Sequence, residues 1–246
     1  MAEQYTDISM SLSSSYHYLG DGMLGLKYTR AHFKQRILVE DSKPPLERDD
    51  VFRAMACIEL SLRWLLNNNY EAAIAYALQG RQLLQETKEF VEDVYWPHWA
   101  DYHHAWALIG LNRAVEARPI LTEMLKWRQR HYGDNDVESM KTAYALQILG
   151  VVNEKAGRFD EAIEIWERAL VLYCRTEGDS SFRTNQVRVK LGEYYGRLGK
   201  PETSIQLFDT ALKYFVGDKY YKAERARTLF KKSQFLASMD DLLNKK

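Results

Sequence analysis

The chain has 246 residues, with 34 Lys or Arg against 34 Asp or Glu and 46% apolar side chains. That length supports one or two buried cores, and the balanced charge excludes a global field that would draw in nucleic acid or an anionic membrane. There is no run of about 18 apolar residues and no apolar signal core in the polar, Ser-rich residues 1–20, so a cytoplasmic or nuclear protein with no membrane contact is expected.

Residues 5–18 and 23–38 read as a first pair of helices, closed by the Pro-rich linker Ser42-Lys43-Pro44-Pro45. Between them Gly20-Asp21-Gly22-Met23-Leu24-Gly25 satisfies G-x-G-x-x-G literally. Dinucleotide binding needs a strand before that loop and a parallel neighbour beyond it. No strand pattern flanks it, so a turn between helices is expected and no cofactor. Helical periodicity and breakers then predict helices at 49–67, 70–86, 97–112, 114–131, 137–156, 159–174, 182–198, 201–214 and 219–238. Gly157, Gly199 and Asn68 stand where a left-handed C-cap ends one helix, and Asp160, Glu202 and Glu71 follow in the next first turn, where the helix dipole favours an acid. Pro97 suits a first turn, where its missing donor costs nothing. Cys57 and Cys174 fall in helices far apart in the chain, which predicts two reduced thiols rather than a disulfide. In the last helix Leu229, Phe230, Phe235 and Leu236 are expected to bury one side, leaving Lys222, Arg225, Lys231 and Lys232 in water.

The chain also repeats. Leu191-Gly192-Glu193-Tyr194-Tyr195, Gly199, Ser204, Phe208 and Ala211 echo Leu149-Gly150, Gly157, Ala162, Trp166 and Ala169 at a shift of 42 (191 − 149). The small residue early in each second helix falls at Ala73, Ala117, Ala162 and Ser204, at intervals of 44, 45 and 42. This pattern resembles the tetratricopeptide repeat, with units longer than the usual ~34 residues and similar to those of kinesin light chain and fungal arrays. The resemblance implies an all-α, right-handed solenoid within one superhelical domain spanning 1–246: a degenerate pair and linker over 1–48, four repeats over 49–215, and a capping helix and tail over 216–246.

In that family the first helix of each pair lines a concave groove, which implies an adaptor or scaffold holding a peptide or protein segment. The register places Met55, Ile58 and Leu62, with Glu59, in the groove of one repeat, and Trp99, Tyr102, His103 and Trp106 in the next. It continues with Gln147, Val151, Glu154 and Lys155, and then Gln186, Lys190, Glu193 and Arg197. Trp99, His103 and Trp106 follow i, i+4, i+7 and share a stripe on helical geometry alone. Aromatic anchors with Lys190 and Arg197 as polar positioning groups are the expected site; an aromatic stripe buried as core is the competing reading. Family members that clamp chaperone carboxylate tails carry Lys, Asn and basic residues where this chain has Ile58, Leu62, Tyr144 and Ile148, which argues against such a clamp. His98, His103 and His104 lack ligand spacing, so no metal is expected, and His104 stands where the family has a buried leucine. No phosphate loop or nucleophile elbow occurs. Alternative readings are a peptide-responsive regulatory sensor and an unorthodox enzyme working in the aromatic pocket around His103.

Overall fold

The structure, a computed structural model, describes residues 16, 21–85, 87, 95–137, 139–217 and 221–243. Apart from Tyr16, the expected helix over 5–18 lies outside them. Among the described residues there are ten α-helices and no strand, and the architecture is an all-α solenoid of tetratricopeptide-like helix pairs. Contacts divide the chain into two compact units, Met1–Met124 and Leu125–Lys246.

The first unit holds α1 (Gly22–Asp41), α2 (Asp50–Leu66), α3 (Tyr70–Gln85), α4 (Tyr95–Gly110) and the start of α5 (Ala114–Tyr132). The Gly-rich segment is not simply a turn: Asp21 caps α1 by accepting the Leu24 N–H at 2.9 Å, and Gly22 and Gly25 lie inside the helix. At the other end Glu40, buried, accepts Lys43 Nζ at 2.7 Å and the Asp49 N–H at 2.8 Å, while Asp49 caps α2 through the Phe52 N–H at 2.9 Å. These bonds fix the corner that the prolines alone would leave open. Ala54, Ile58, Ala77, Leu84 and Ala100 form the core shared by α2, α3 and α4.

The second unit continues with the rest of α5, α6 (Lys141–Lys155), α7 (Phe159–Thr176), α8 (Phe182–Arg197), α9 (Pro201–Val216) and α10 (Lys222–Leu243). Trp166 is its largest fully buried side chain, packed among Leu146, Ala162, Leu191 and Tyr194. Its indole N–H donates to the Gln147 carbonyl at 3.1 Å. Gly150 lies under that ring, as Gly192 lies under Phe208 one repeat later. Small residues at these positions allow the paired helices to come close.

In the four pairs from α2 to α9 the inner turn is built alike. Asn68, Asn112, Gly157 and Gly199 have φ of 59°, 59°, 73° and 70°. The N–H groups of Asn69, Arg113, Arg158 and Lys200 reach back five residues to the carbonyls of Trp64, Leu108, Asn153 and Tyr195 at 3.0, 2.8, 2.9 and 2.9 Å. These are Schellman caps. Each left-handed residue precedes its buried Ala73, Ala117, Ala162 or Ser204 by five positions.

The connections between pairs are held differently. The helix expected over 137–156 begins only at Lys141, because Asp136 turns inward. Asp136 is fully buried against Arg128, itself 2% exposed, and also accepts from the Thr142 hydroxyl. Arg128 donates to Thr142 Oγ1 at 2.6 Å and to Ser139 Oγ at 2.9 Å. In the next connection Arg188 grips the Asp179 carbonyl and carboxylate, both at 2.6 Å, and Thr184 Oγ1 donates to the Gly178 carbonyl at 2.9 Å.

Helix α10 runs over Lys222–Leu243 rather than 219–238, and its apolar face is only partly used. Phe235 presses on Gly196, and Lys231 and Lys232 reach Glu193 and Asp209 at 2.6 and 2.5 Å. Leu229, Phe230 and Leu236, expected to be buried, are instead 46%, 62% and 38% exposed. The helix covers α8 and α9 through Phe235 and its lysines, so the two cations expected in water are spent on the same contact.

Candidate functional site

In the first unit, the 44-residue register sets Met55, Ile58, Glu59 and Leu62 of α2 against Trp99, Tyr102, His103 and Trp106 of α4 (99 − 55 = 44). Burial follows that register. Met55 and Leu62, and likewise Trp99 and Trp106, are partly exposed at i and i+7. Ile58 and Tyr102, three residues on, point into their pairs and are 1% and 0% exposed. The expected groove positions Ile58, Tyr102 and His103 are therefore corrected: all three are buried and offer no surface to a ligand. Tyr102 packs edge-on to Trp99 with centroids 5.4 Å apart.

His103 is satisfied from within on one side. Its Nδ1 lies 2.6 Å from Ser61 Oγ, and Ser61 gives its own proton to the Ile58 carbonyl at 2.7 Å. The hydroxyl is thus a helix back-bond rather than a nucleophile awaiting a base, and His103 donates to it. Burial pulls the His103 pKa down to about 4, so the imidazole is neutral near pH 7. Burial also raises Glu59, whose carboxylate stands 3.8 Å from His32 Nδ1, with Arg36 and Arg63 opposing that rise. Asp101 is pushed up to about 6 by burial, against the pull of Arg81 at 2.7 Å. His104, in the family's leucine position, is partly exposed, and burial lowers its pKa.

In the second unit the polar candidates are tied to one another. Lys190 donates to both oxygens of Glu154, at 2.9 and 3.1 Å, and lies 5.6 Å over the Trp166 ring. The Tyr194 hydroxyl donates to the same carboxylate at 2.7 Å, and Glu193 holds Lys231. Glu154 to Lys190 and Glu193 to Lys231 thus form a ladder over α6, α8 and α10. Lys190, expected as a polar positioning group, is engaged by Glu154 within the protein. Gln147 supplies its side-chain oxygen to the Tyr173 hydroxyl at 2.7 Å, and Val151 packs on the core. Arg197 remains exposed, 4.9 Å over the Tyr194 ring.

Burial pushes both thiols, Cys57 and Cys174, up to about 11, the wrong direction for a nucleophile at neutral pH. Both are free, as expected. Among the described residues no group of three or more His, Cys, Asp or Glu could hold a metal ion, and no helix is long and apolar enough to cross a membrane. Sequence reading missed the buried Arg128–Asp136 pair. Ser139 and Thr142 recur as Ser181 and Thr184 at the same shift of 42 (181 − 139), and that recurrence marks the side-chain-bonded connections.

Comparison with known proteins agrees with the fold. The family described as tetratricopeptide repeat matches residues 141–215. No curated protein matches the sequence. Among solved structures, a Rap protein complexed with Competence and Sporulation Factor is 15% identical with a TM-score of 0.72, covering 100% of this chain and 69% of its own. Aspartyl phosphate phosphatase F from Bacillus subtilis is 14% identical at a TM-score of 0.71; the match covers 99% of this chain but only 59% of the phosphatase. The kinesin light chain TPR-like repeats of Podosopora anserina are 14% identical at 0.59, over 90% of this chain and 96% of theirs. At such identities the likeness is one of fold.

Proposed function

We propose that this chain, whose residues 141–215 match the tetratricopeptide repeat, serves as an adaptor or scaffold that holds a peptide or protein segment against the first helices of its pairs. The anchor is in the first unit, where Met55, Leu62, Trp99 and Trp106 stay partly open at matching positions of α2 and α4. That recurrence of exposure at i and i+7 on neighbouring helices carries the reading. Large aromatic surface on rigid helices gives contact area at little entropic cost. In the second unit Gln147, Val151, Glu193 and Arg197 border the equivalent face, with Arg197 the exposed cation. On this reading the protein acts in the cytoplasm or nucleus, without a cofactor and not as an enzyme.

Peptides selected by phage display on the whole chain test this. They should lose most of their affinity for the Leu62→Ala, Trp106→Ala double variant while its melting point stays close to that of the parent. Selected peptides that bind parent and variant equally would place recognition elsewhere. A second reading, a sensor that changes conformation on binding a peptide, draws on the Rap neighbour solved with a factor bound. It calls for a change in radius of gyration when the selected peptide is added; an unchanged radius leaves the adaptor.

A further inference from the structure

Between α1 and α3 a recess of about 500 Å³ is lined below by Leu26, Phe33, Leu60 and Tyr76. Its rim carries Lys27, Arg30 and Lys34. Phe33 and Tyr76, both partly exposed, meet edge-on with centroids 5.5 Å apart and present the open apolar surface, over a base of buried Leu26 and Leu60. The rim residues follow i, i+3, i+7 along α1 and are all exposed. None of the three pairs with a carboxylate among the described residues; Arg30 lies 5.8 Å over the Trp64 ring. The facing helix α3 contains one carboxylate, Glu71, in its first turn, so it does not neutralise them. This is a local excess of three positive charges in a chain with equal numbers of acids and bases, and it contrasts with Lys190, Lys231 and Lys232, each held by an acid.

We propose that this recess is a second docking surface, separate from the face of Trp99 and Trp106, and that its occupant is an acidic segment of a partner protein with one bulky apolar side chain. The apolar side chain enters against the partly exposed rings of Phe33 and Tyr76, and carboxylates on either side meet Lys27, Arg30 and Lys34. The recessed floor is what favours a peptide over an anionic bilayer, since an inserted side chain reaches below the cationic rim and a lipid surface does not. The charges set approach and register, and the floor supplies contact.

The test uses the whole chain and a short fluorescein-labelled peptide of Glu and Ser around a single Phe, read by fluorescence anisotropy. Two companion peptides replace Phe by Ala, or every Glu by Lys. The parent peptide should bind, each companion at least about tenfold more weakly, and added salt should weaken binding as screening removes the ionic share. Lys27→Glu with Lys34→Glu should cost at least about tenfold, whereas Leu62→Ala with Trp106→Ala should leave the affinity unchanged, which separates this site from the first. Should the charge-reversed protein lose helical content by circular dichroism, Lys27→Gln with Lys34→Gln repeats the comparison. Equal binding of all three peptides, or indifference to the charge changes, overturns the proposal. So does sedimentation with phosphatidylserine vesicles by a protein that ignores the peptide.

Discussion

Gly150 and Gly192 are 42 residues apart (192 − 150) and occupy the same place in the repeat, yet alanine should destabilise only at the first. A Cβ at Gly150 would stand 2.2 Å from Trp166 Nε1 and 2.5 and 2.7 Å from two ring carbons; at Gly192 the nearest atoms, all of the Phe208 ring, are 3.4 Å away. In both helices Ala gains up to about 1 kcal/mol over Gly in backbone propensity. At Gly192 that gain meets an ordinary van der Waals contact, so Gly192→Ala should be neutral or stabilising by up to about 1 kcal/mol. At Gly150 the fully buried Trp166 has to shift to relieve the clash, which overpacks the core at about 1–3 kcal/mol. The move also breaks the indole bond to Gln147, worth about 1 kcal/mol. Set against the propensity gain, Gly150→Ala should lose about 1–3 kcal/mol. Urea unfolding followed by circular dichroism measures both variants against the parent. Equal shifts of the same sign would refute the argument, because the difference rests only on which ring lies over the glycine.

The buried Arg128–Asp136 pair should show the asymmetry of buried charges: Asp136→Ala leaves a guanidinium that is 2% exposed without its acid and should cost about 3–5 kcal/mol. Adding Arg128→Met should recover much of that loss; a double variant as unstable as the sum of the singles would contradict it. The low pKa of His103 makes a linkage prediction. Its folded value of about 4 lies below the unfolded 6.5, so its share of stability is present above pH 6.5 and is lost as pH falls toward 4, by about 3 kcal/mol. Asp101, raised to about 6, acts in the opposite sense, losing its share as pH rises through that value, but it is common to parent and His103→Gln. The difference between their stability curves should therefore shrink as the pH falls from 6.5 to 4, and a constant difference would refute the assignment.

Helix ends were legible because their causes are local: Asn68, Gly157 and Gly199 are the left-handed caps that their residue types suggested, and α2, α3, α7 and α9 end within two residues of expectation. Asn112 works the same way and was unmarked only because Asn-Arg is a weaker turn signal than Asn-Asn or Gly. The site was less legible. Helical spacing places Trp99, His103 and Trp106 on one stripe but does not say where a neighbouring helix covers it, and Ser61, 42 residues away, is what receives His103. Pairing is similarly distant: nothing near Lys190 in sequence shows that Glu154, 36 residues earlier, takes up its charge. The open face of Leu229 and Phe230 escaped for the converse reason, since apolar periodicity in α10 promises a contact without naming a surface to make it.

The two kinds of connection described above decide where this protein can be recombined. Turns inside a pair close through their own backbone, at Asn68, Asn112, Gly157 and Gly199, with bonds any flanking side chains would allow. Connections between pairs are written in side chains from both flanks: Arg128 before the loop holds Asp136 and Ser139 within it and Thr142 after it, and Arg188 and Thr184 reach back to Asp179 and Gly178. The heritable module in the second unit is therefore out of phase with the helix pair: it runs from one tight turn to the next and carries an intact loop in its middle. Chimeras spliced at Gly157 or Gly199 keep each loop with its own arginine, whereas splices within 134–140 or 178–181 strand a buried guanidinium without its acid or a loop without its clamp.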